Sequence, residues 1–277
     1  MRWRQFFTPV KTMTPDQARD LVRDTPVEAL TFLDVRQPKE YEQGHIPGTK
    51  LIPLPDLTER LDEIDPKKTT VVYCAVGGRS RVAAQILAGK GFEDVYNLSG
   101  GIKAWNGETA LLGEEKGLDL FSGHESPEET LLVAYSLEAG LREFYLTMAN
   151  KVTSTDAKRL FQQLAEIETK HQERVFEEYG RISQPSPTKQ EFEERLVPGV
   201  VEGGMTTEEY AGRFRPNMES VTEIIDIAMS IEAQALDLYM RAAERVGDAQ
   251  SKEALVRLAD EERTHLALLG DIIAKTS

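Results

Sequence analysis

Residues 134–171 and 228–265 repeat each other at a constant offset of 94 positions. Ala134-x-Ser136-Leu137-Glu138-Ala139 returns as Ala228-x-Ser230-Ile231-Glu232-Ala233. Tyr145 returns as Tyr239, and Ala149-x-x-Val152 as Ala243-x-x-Val246. Leu164-Ala165-x-x-Glu168-x-x-His171 returns as Leu258-Ala259-x-x-Glu262-x-x-His265. One offset shared over so long a stretch means a duplicated unit. Apolar residues within it recur at three- and four-residue steps, as in Leu160, Leu164, Ile167 and Val175, the period of an amphipathic helix. Each unit reads as two helices, 127–151 with 155–179, then 220–246 with 249–275. Two such hairpins make a four-helix bundle, with 181–218 crossing between its ends. That crossover holds four prolines, and 191–196 and 207–213 read as short helices within it.

The repeat also carries chemistry. Glu168 and His171 stand three apart and so share one helix face, which is the apolar one. The same holds for Glu262 and His265, while Glu138 and Glu232 sit among apolar or small residues on the companion helices. A lone Glu-x-x-His is usually a surface pair. Two copies, in register with two lone glutamates, are another matter. Carboxylates and imidazoles turned into a core are costly unless something pairs them. Two divalent cations would do so. One glutamate from each of two helices plus Glu-x-x-His from each of the other two is the ligand set of di-iron and di-manganese carboxylate bundles. The candidate metal ligands are therefore Glu138, Glu168, His171, Glu232, Glu262 and His265. Two iron ions are expected, with manganese suiting the same donors almost as well.

The first part of the chain is built differently. Thr14-Pro15 opens a helix, 30–35 is a short apolar strand, 39–42 a short helix, and Gly44-His45-Ile46-Pro47-Gly48 a turn cluster. An extended piece at 51–54 and a helical stretch at 57–64 precede the central strand Thr70 to Tyr73. A helix through Leu87, a strand at 95–98 and a last short helix from Gly100 complete it. This alternation implies a parallel sheet with helices on both faces, and a reactive site beyond the C-terminal strand ends. Cys74, the single cysteine, lies at such an end. Loop amides and a helix N-terminus converge there and favour negative charge, so the thiol should ionise readily and act as a nucleophile. Gly77 and Gly78 free the backbone to wrap an anion, and Arg79 can complete the site.

Charge separates the two parts. Residues 1–108 hold 15 basic and 15 acidic residues, so the whole net charge of −14 falls on 109–277. An acidic half of this kind excludes nucleic acid as its partner and accommodates cations. One cysteine excludes an internal disulfide and any Cys-x-x-Cys motif. No stretch is apolar enough to span a membrane, residues 1–7 lack the apolar run of a secretory signal, and the expected location is the cytoplasm. The expected domains are 1–108, a linker at 109–126, and 127–277.

Asp34-Val35-Arg36, Glu40-Tyr41, Gly44-His45-Ile46-Pro47-Gly48, Cys74-Ala75-Val76-Gly77-Gly78-Arg79-Ser80 and Gly100-Gly101-Ile102-x-Ala104-Trp105 together resemble a single-domain rhodanese. The resemblance spans about residues 8–107. It implies a sulfurtransferase in which Cys74 attacks a small donor such as thiosulfate or a persulfide, becomes a persulfide, and passes the sulfur to a thiol or other nucleophile. It further implies that Ala75, Val76, Gly77, Gly78 and Ser80 hold the sulfur or oxyanion through their amides, that Arg79 supports the loop, and that Asp34 and Arg36 brace it. The six positions from Cys74 to Arg79 match the sulfur-handling loop length rather than the longer phosphatase loop. Thr49-Lys50 departs from the small residue usual after the turn.

Residues 125–275 resemble the ferritin-like superfamily, rubrerythrin-like domains above all. The resemblance implies that Glu168 and Glu262 bridge the metals, that Glu138 and Glu232 are terminal ligands, and that Tyr145 and Tyr239 lie near the site. Rubrerythrins carry a further glutamate where Ala235 stands here, and a Cys-rich electron-feeding module that this sequence lacks, so an external electron donor is expected. The leading reading is a sulfurtransferase fused to a di-iron carboxylate domain with a linked redox, oxygen/peroxide or sensing role, present as a homodimer. Two alternatives stay open: an iron- or peroxide-binding protein with a sulfur-delivery or sensing module, and a bundle serving only as a dimerisation scaffold.

Overall fold

The computed structural model describes residues 10–113, 117–121, 123–183, 187–196 and 217–276. They divide between two compact units, 1–114 and 115–277. The first unit holds five parallel strands, β1 (Lys11–Met13), β2 (Leu30–Asp34), β3 (Lys50–Leu51), β4 (Thr69–Tyr73) and β5 (Val95–Leu98), in the order β1-β5-β4-β2-β3. Side chains alternate across the central strands. Leu33 and Val72 enter one face with Ile52, Ala83 and Leu87, and Phe32, Val71 and Tyr73 enter the other with Met13, Ala18 and Leu98. Both faces are buried, so the central strands read as nearly unbroken apolar runs. Helix α1 (Pro15–Asp24) starts at Thr14, whose hydroxyl accepts from the Gln17 amide while the Gln17 side chain accepts from the Thr14 amide. Helix α2 (Pro38–Glu42) follows β2, and α3 (Gly78–Gly89) follows β4.

Three local expectations differ from the structure. Strand β1 has no counterpart in the sequence reading. The stretch 57–64, whose apolar residues fall at helical spacing, forms turns and one 3-10 turn at Leu61–Glu63. Pro55 and Pro66 confine it to a length that does not repay helix nucleation, yet Leu57 and Ile64 still reach the core. The last short helix is a 3-10 turn at Gly101–Lys103. Residues 109–126 are partly built into both units. Ala110 pairs antiparallel with His45, and the Leu112 amide donates to the Glu42 carbonyl at 3.0 Å. Leu112 has φ 73°, and a 3-10 turn follows at Leu118–Leu120, with Leu118 and Phe121 buried.

The second unit is the helical bundle, with α4 (Pro127–Lys151) and α5 (Thr155–Ile182) as one hairpin and α7 (Val221–Arg245) and α8 (Ala249–Thr276) as the other. The short helix α6 (Lys189–Glu193) lies in the crossover. The duplication extends to the caps. Ser126 and Ser220, 94 residues apart, accept from the amides three residues on, and Ser154 and Asp248 do the same for α5 and α8. Such caps hold each helix start in register, at about 1 kcal/mol apiece. Phe192 of α6 is fully buried against Tyr135, Phe176 and Tyr179, with ring centroids at 4.9, 5.2 and 4.6 Å. The helix expected at 207–213 lies outside the described residues. Among those residues no helix is long and apolar enough to cross a membrane.

Candidate functional site

Cys74 follows β4 directly, at the C-terminal edge of the sheet, and its side chain is only 1% exposed. The Gly77 amide donates to its Sγ at 3.2 Å, and the Ser80 hydroxyl lies 3.5 Å from it. Gly77 caps α3 with φ 97°, a left-handed conformation that turns the loop back over the sulfur. Burial alone would raise the thiol pKa. Hydrogen bonds from the Ser80 hydroxyl and from the amides of Ser80, Val76 and Gly77 outweigh it and hold the pKa below the ordinary thiol value. The loop rests on the Gly100-Gly101 turn, where the amides of Ile102 and Lys103 donate to the carbonyls of Cys74 and Ala75 at 2.9 and 3.2 Å. A Cβ at Gly101 would overlap the Cys74 carbonyl oxygen, so only glycine fits there.

Arg79 closes the loop, where its guanidinium meets both Cys74 and the Glu40 carboxylate. Its Nη1 and Nη2 donate to the Glu40 carboxylate of α2 at 2.8 and 2.7 Å. The Arg79 guanidinium holds Glu40 down at about 2, so the carboxylate is ionised throughout the working range. Asp34 and Arg36 form a second, buried pair at the end of β2, and Arg36 also donates to the Gly44 carbonyl at 2.8 Å. Sequence reasoning placed Asp34 and Arg36 as braces but did not find the Glu40–Arg79 pair. It also passed over Asn97, the polar residue in Val95-Tyr96-Asn97-Leu98, whose Oδ1 lies 2.6 Å from Ser80 Oγ. Removing the hydroxyl in Ser80→Ala is expected to slow iodoacetamide alkylation of Cys74 at neutral pH about two- to tenfold, the net worth of an ordinary hydrogen bond. The rate profile should shift to higher pH, and an unmoved profile would show that the amides alone hold the thiolate.

In the bundle, Glu138, Glu168 and His171 each present a ligand atom within 4.8 Å of one another, and Glu232, Glu262 and His265 do the same. All six side chains are buried. His171 Nδ1 lies 3.2 Å from Glu138 and 3.0 Å from Glu168, and His265 Nδ1 lies 3.0 Å from Glu262 and 3.6 Å from Glu232. The two groups adjoin, because the imidazoles of His171 and His265 stack at 3.8 Å between centroids. Burial, with the charges of Glu232 and Glu138, pushes the Glu168 carboxyl well above the usual range. Burial also works to lower the His171 pKa, but the Glu138 and Glu168 carboxylates outweigh it and raise the pKa to about 11. Ala235 is fully buried. Tyr145 and Tyr239 are fully buried, Tyr145 against Phe144 and Phe161.

A cation is what the donor set fits. Glu138 Oε1, Glu168 Oε1, His171 Nε2 and Glu232 Oε2 are buried with no hydrogen-bond partner, a cost that paired donors do not carry.

The rhodanese-like family model matches residues 14–108, and the rubrerythrin family model matches residues 129–273. The chain belongs to both families, with one domain of each. The rhodanese-like part is 40% identical over 99 residues to the uncharacterized protein YqhL of Bacillus subtilis, covering 36% of this chain and 75% of that one. It is 36% identical over 98 residues to the thiosulfate sulfurtransferase GlpE of Pseudomonas syringae, covering 35% and 89%. It is 39% identical over 107 residues to the rhodanese-like/PpiC domain-containing protein 12 of Arabidopsis thaliana, of which the chain spans 34%. The rhodanese-like domain thus contains the Cys74 loop, and the rubrerythrin domain contains both carboxylate–imidazole groups.

Proposed function

We propose that the chain is a sulfurtransferase in which Cys74 carries sulfane sulfur as a persulfide, joined to a di-metal rubrerythrin domain that performs a linked redox or oxygen/peroxide step. The observation that carries the first half is the Cys74 sulfur, ringed by amide and hydroxyl donors that lower its pKa against burial. The thiolate attacks the outer sulfur of the donor, and the amides of the 75–80 loop hold the negative charge on the sulfur that remains. Arg79, pinned by Glu40, keeps the loop in the shape that aims those amides. With no second cysteine in the chain, the accepting nucleophile comes from outside or from the other domain.

For the second half, Glu138, Glu168 and His171 would hold one metal and Glu232, Glu262 and His265 the other. A bound iron pair supplies one-electron steps, with electrons from an external donor. The chain's own part is to keep six donors dry and converged. The caps repeated 94 residues apart fix the register of the helices that carry them. A homodimer in the cytoplasm is part of this reading, as is an undivided sulfur-transfer domain over 1–108 tied by 109–126 to the metal domain over 127–277.

Metal analysis of protein purified without chelator, with intact-mass measurement after thiosulfate, tests both halves at once. About two metal ions per chain and one added sulfur on Cys74 are expected. The Glu138 and Glu168 carboxylates hold a proton on His171 in the metal-free protein, so a cation taking its place must release it. Titration of the metal-free protein with Mn(II) in buffers of different ionisation heat should therefore show proton release, and affinity that falls as pH falls. Binding with no proton release would remove His171 from the ligand set.

A further inference from the structure

We propose that Glu40 is a specificity-determining residue that turns the Cys74 site away from dianionic sulfur donors such as thiosulfate and toward hydropersulfides with an uncharged tail. The inference rests on the sulfurtransferase reading and asks which donor class the site admits.

Glu40 offsets the one charge in the loop. Among the loop side chains from Ala75 to Ser80, Arg79 alone is charged; each of its terminal nitrogens donates to Glu40, at 2.7 and 2.8 Å, and its guanidinium also interacts with Cys74. Arg79 and Glu40 are each about a third exposed, so the Glu40 charge balances that of Arg79 where the pair meets solvent beside the loop. The neighbouring Asp34–Arg36 pair is closed and buried. The amides that favour an anion already point at Cys74 Sγ. The outermost loop side chain is apolar: Val76 is 62% exposed, beside a nucleophile that is nearly fully buried. Residues 1–108 carry equal numbers of basic and acidic groups, so this part of the chain has no net charge to draw in an anion.

The two donor classes meet this entrance differently. With thiosulfate, the Cys74 thiolate attacks the outer sulfur, the S–S bond breaks, and the electron pair leaves on sulfite, giving the Cys74 persulfide anion. A dianion must then approach a thiolate with Glu40 still ionised. With a hydropersulfide R–S–S–H, the thiolate takes the terminal sulfur with its proton, the S–S bond breaks, and R–S⁻ departs. Only one negative charge is present throughout, and an apolar R can lie on Val76.

The test measures the single-turnover rate of sulfur gain on Cys74 by intact mass, across concentrations of thiosulfate and of 2-hydroxyethyl hydropersulfide, in the full chain. The wild type is expected to favour the hydropersulfide in limiting rate over half-saturation by at least about tenfold, or about 1.4 kcal/mol. Glu40→Gln keeps an oxygen for the Gln37 amide that Glu40 now caps, and frees the charge of Arg79. It should lower the half-saturating thiosulfate concentration about three- to tenfold relative to that for the hydropersulfide, a ratio from which any loosening of the loop that affects both donors alike cancels. Val76→Lys, at an exposed position where folding is not at stake, should shift thiosulfate the same way. Thiosulfate half-saturation unchanged in folded Glu40→Gln would overturn the role of Glu40. If Glu40→Gln fails to fold, an unresponsive Val76→Lys overturns the electrostatic argument in its place. If Cys74 gains sulfur from neither donor in any variant, the sulfurtransferase reading falls and this inference with it.

Discussion

Cys74→Ser is expected to bring sulfur transfer down to the uncatalysed rate, a loss of at least about a thousandfold, as for removal of a covalent nucleophile elsewhere. The loop supports this expectation. Its amides and the Ser80 hydroxyl lower a thiol's pKa from an ordinary value of about 8.5, but an alcohol starts several units higher and stays protonated in the same field. No other sulfur can substitute, because Cys74 is the single cysteine. Serine is smaller by little and sits where the side chain is 1% exposed, so the fold should survive. Unchanged circular dichroism with no added sulfur in the intact mass is the expected pair of observations. Transfer that persists in Cys74→Ser would mean the chemistry lies elsewhere.

What the sequence made legible follows from how local each signal is. The Cys74 loop was readable because strand, glycines, arginine and helix all fall within about a dozen consecutive residues. The six carboxylate and imidazole positions were readable because the duplication states each of them twice. Features made by distant partners were harder. Strand β1 is three residues, too short for alternation to register, and is a strand only because Lys11, Thr12 and Met13 align with Tyr96, Asn97 and Leu98. The Glu40–Arg79 pair joins residues 39 positions apart, and nothing in either local sequence announces the other. Residues 57–64 misled for the opposite reason. Their apolar spacing is helical, but the chain is held by prolines and by the sheet face that Leu57 and Ile64 must reach, and tertiary burial overrode the period.

The second large effect concerns the bundle. Saturating Mn(II) is expected to raise the melting temperature of the wild-type helices by about 10–20 °C. Two sites filled at a hundred times their dissociation constants add about 5 kcal/mol, and each kcal/mol is worth about 2–4 °C in a domain of this size. The double variant Glu168→Gln, Glu262→Gln should lose that response and still fold. Glutamine matches glutamate in shape, and the Glu168 carboxyl is already driven toward its neutral form by burial and by the Glu232 and Glu138 charges. Removing charge from such a pocket commonly leaves a metal-free protein as stable or makes it more so. The metal-free melting temperature of the double variant should accordingly equal or exceed that of the metal-free wild type. The duplication sharpens the test, because Glu168 and Glu262 occupy equivalent places in the two hairpins and each single variant should forfeit a similar share. A Mn(II) response that survives in the double variant would trace to surface carboxylates of the acidic half. A wild type that does not respond would leave the six buried groups as scaffold, and the structure would then owe its stability to the four helices alone.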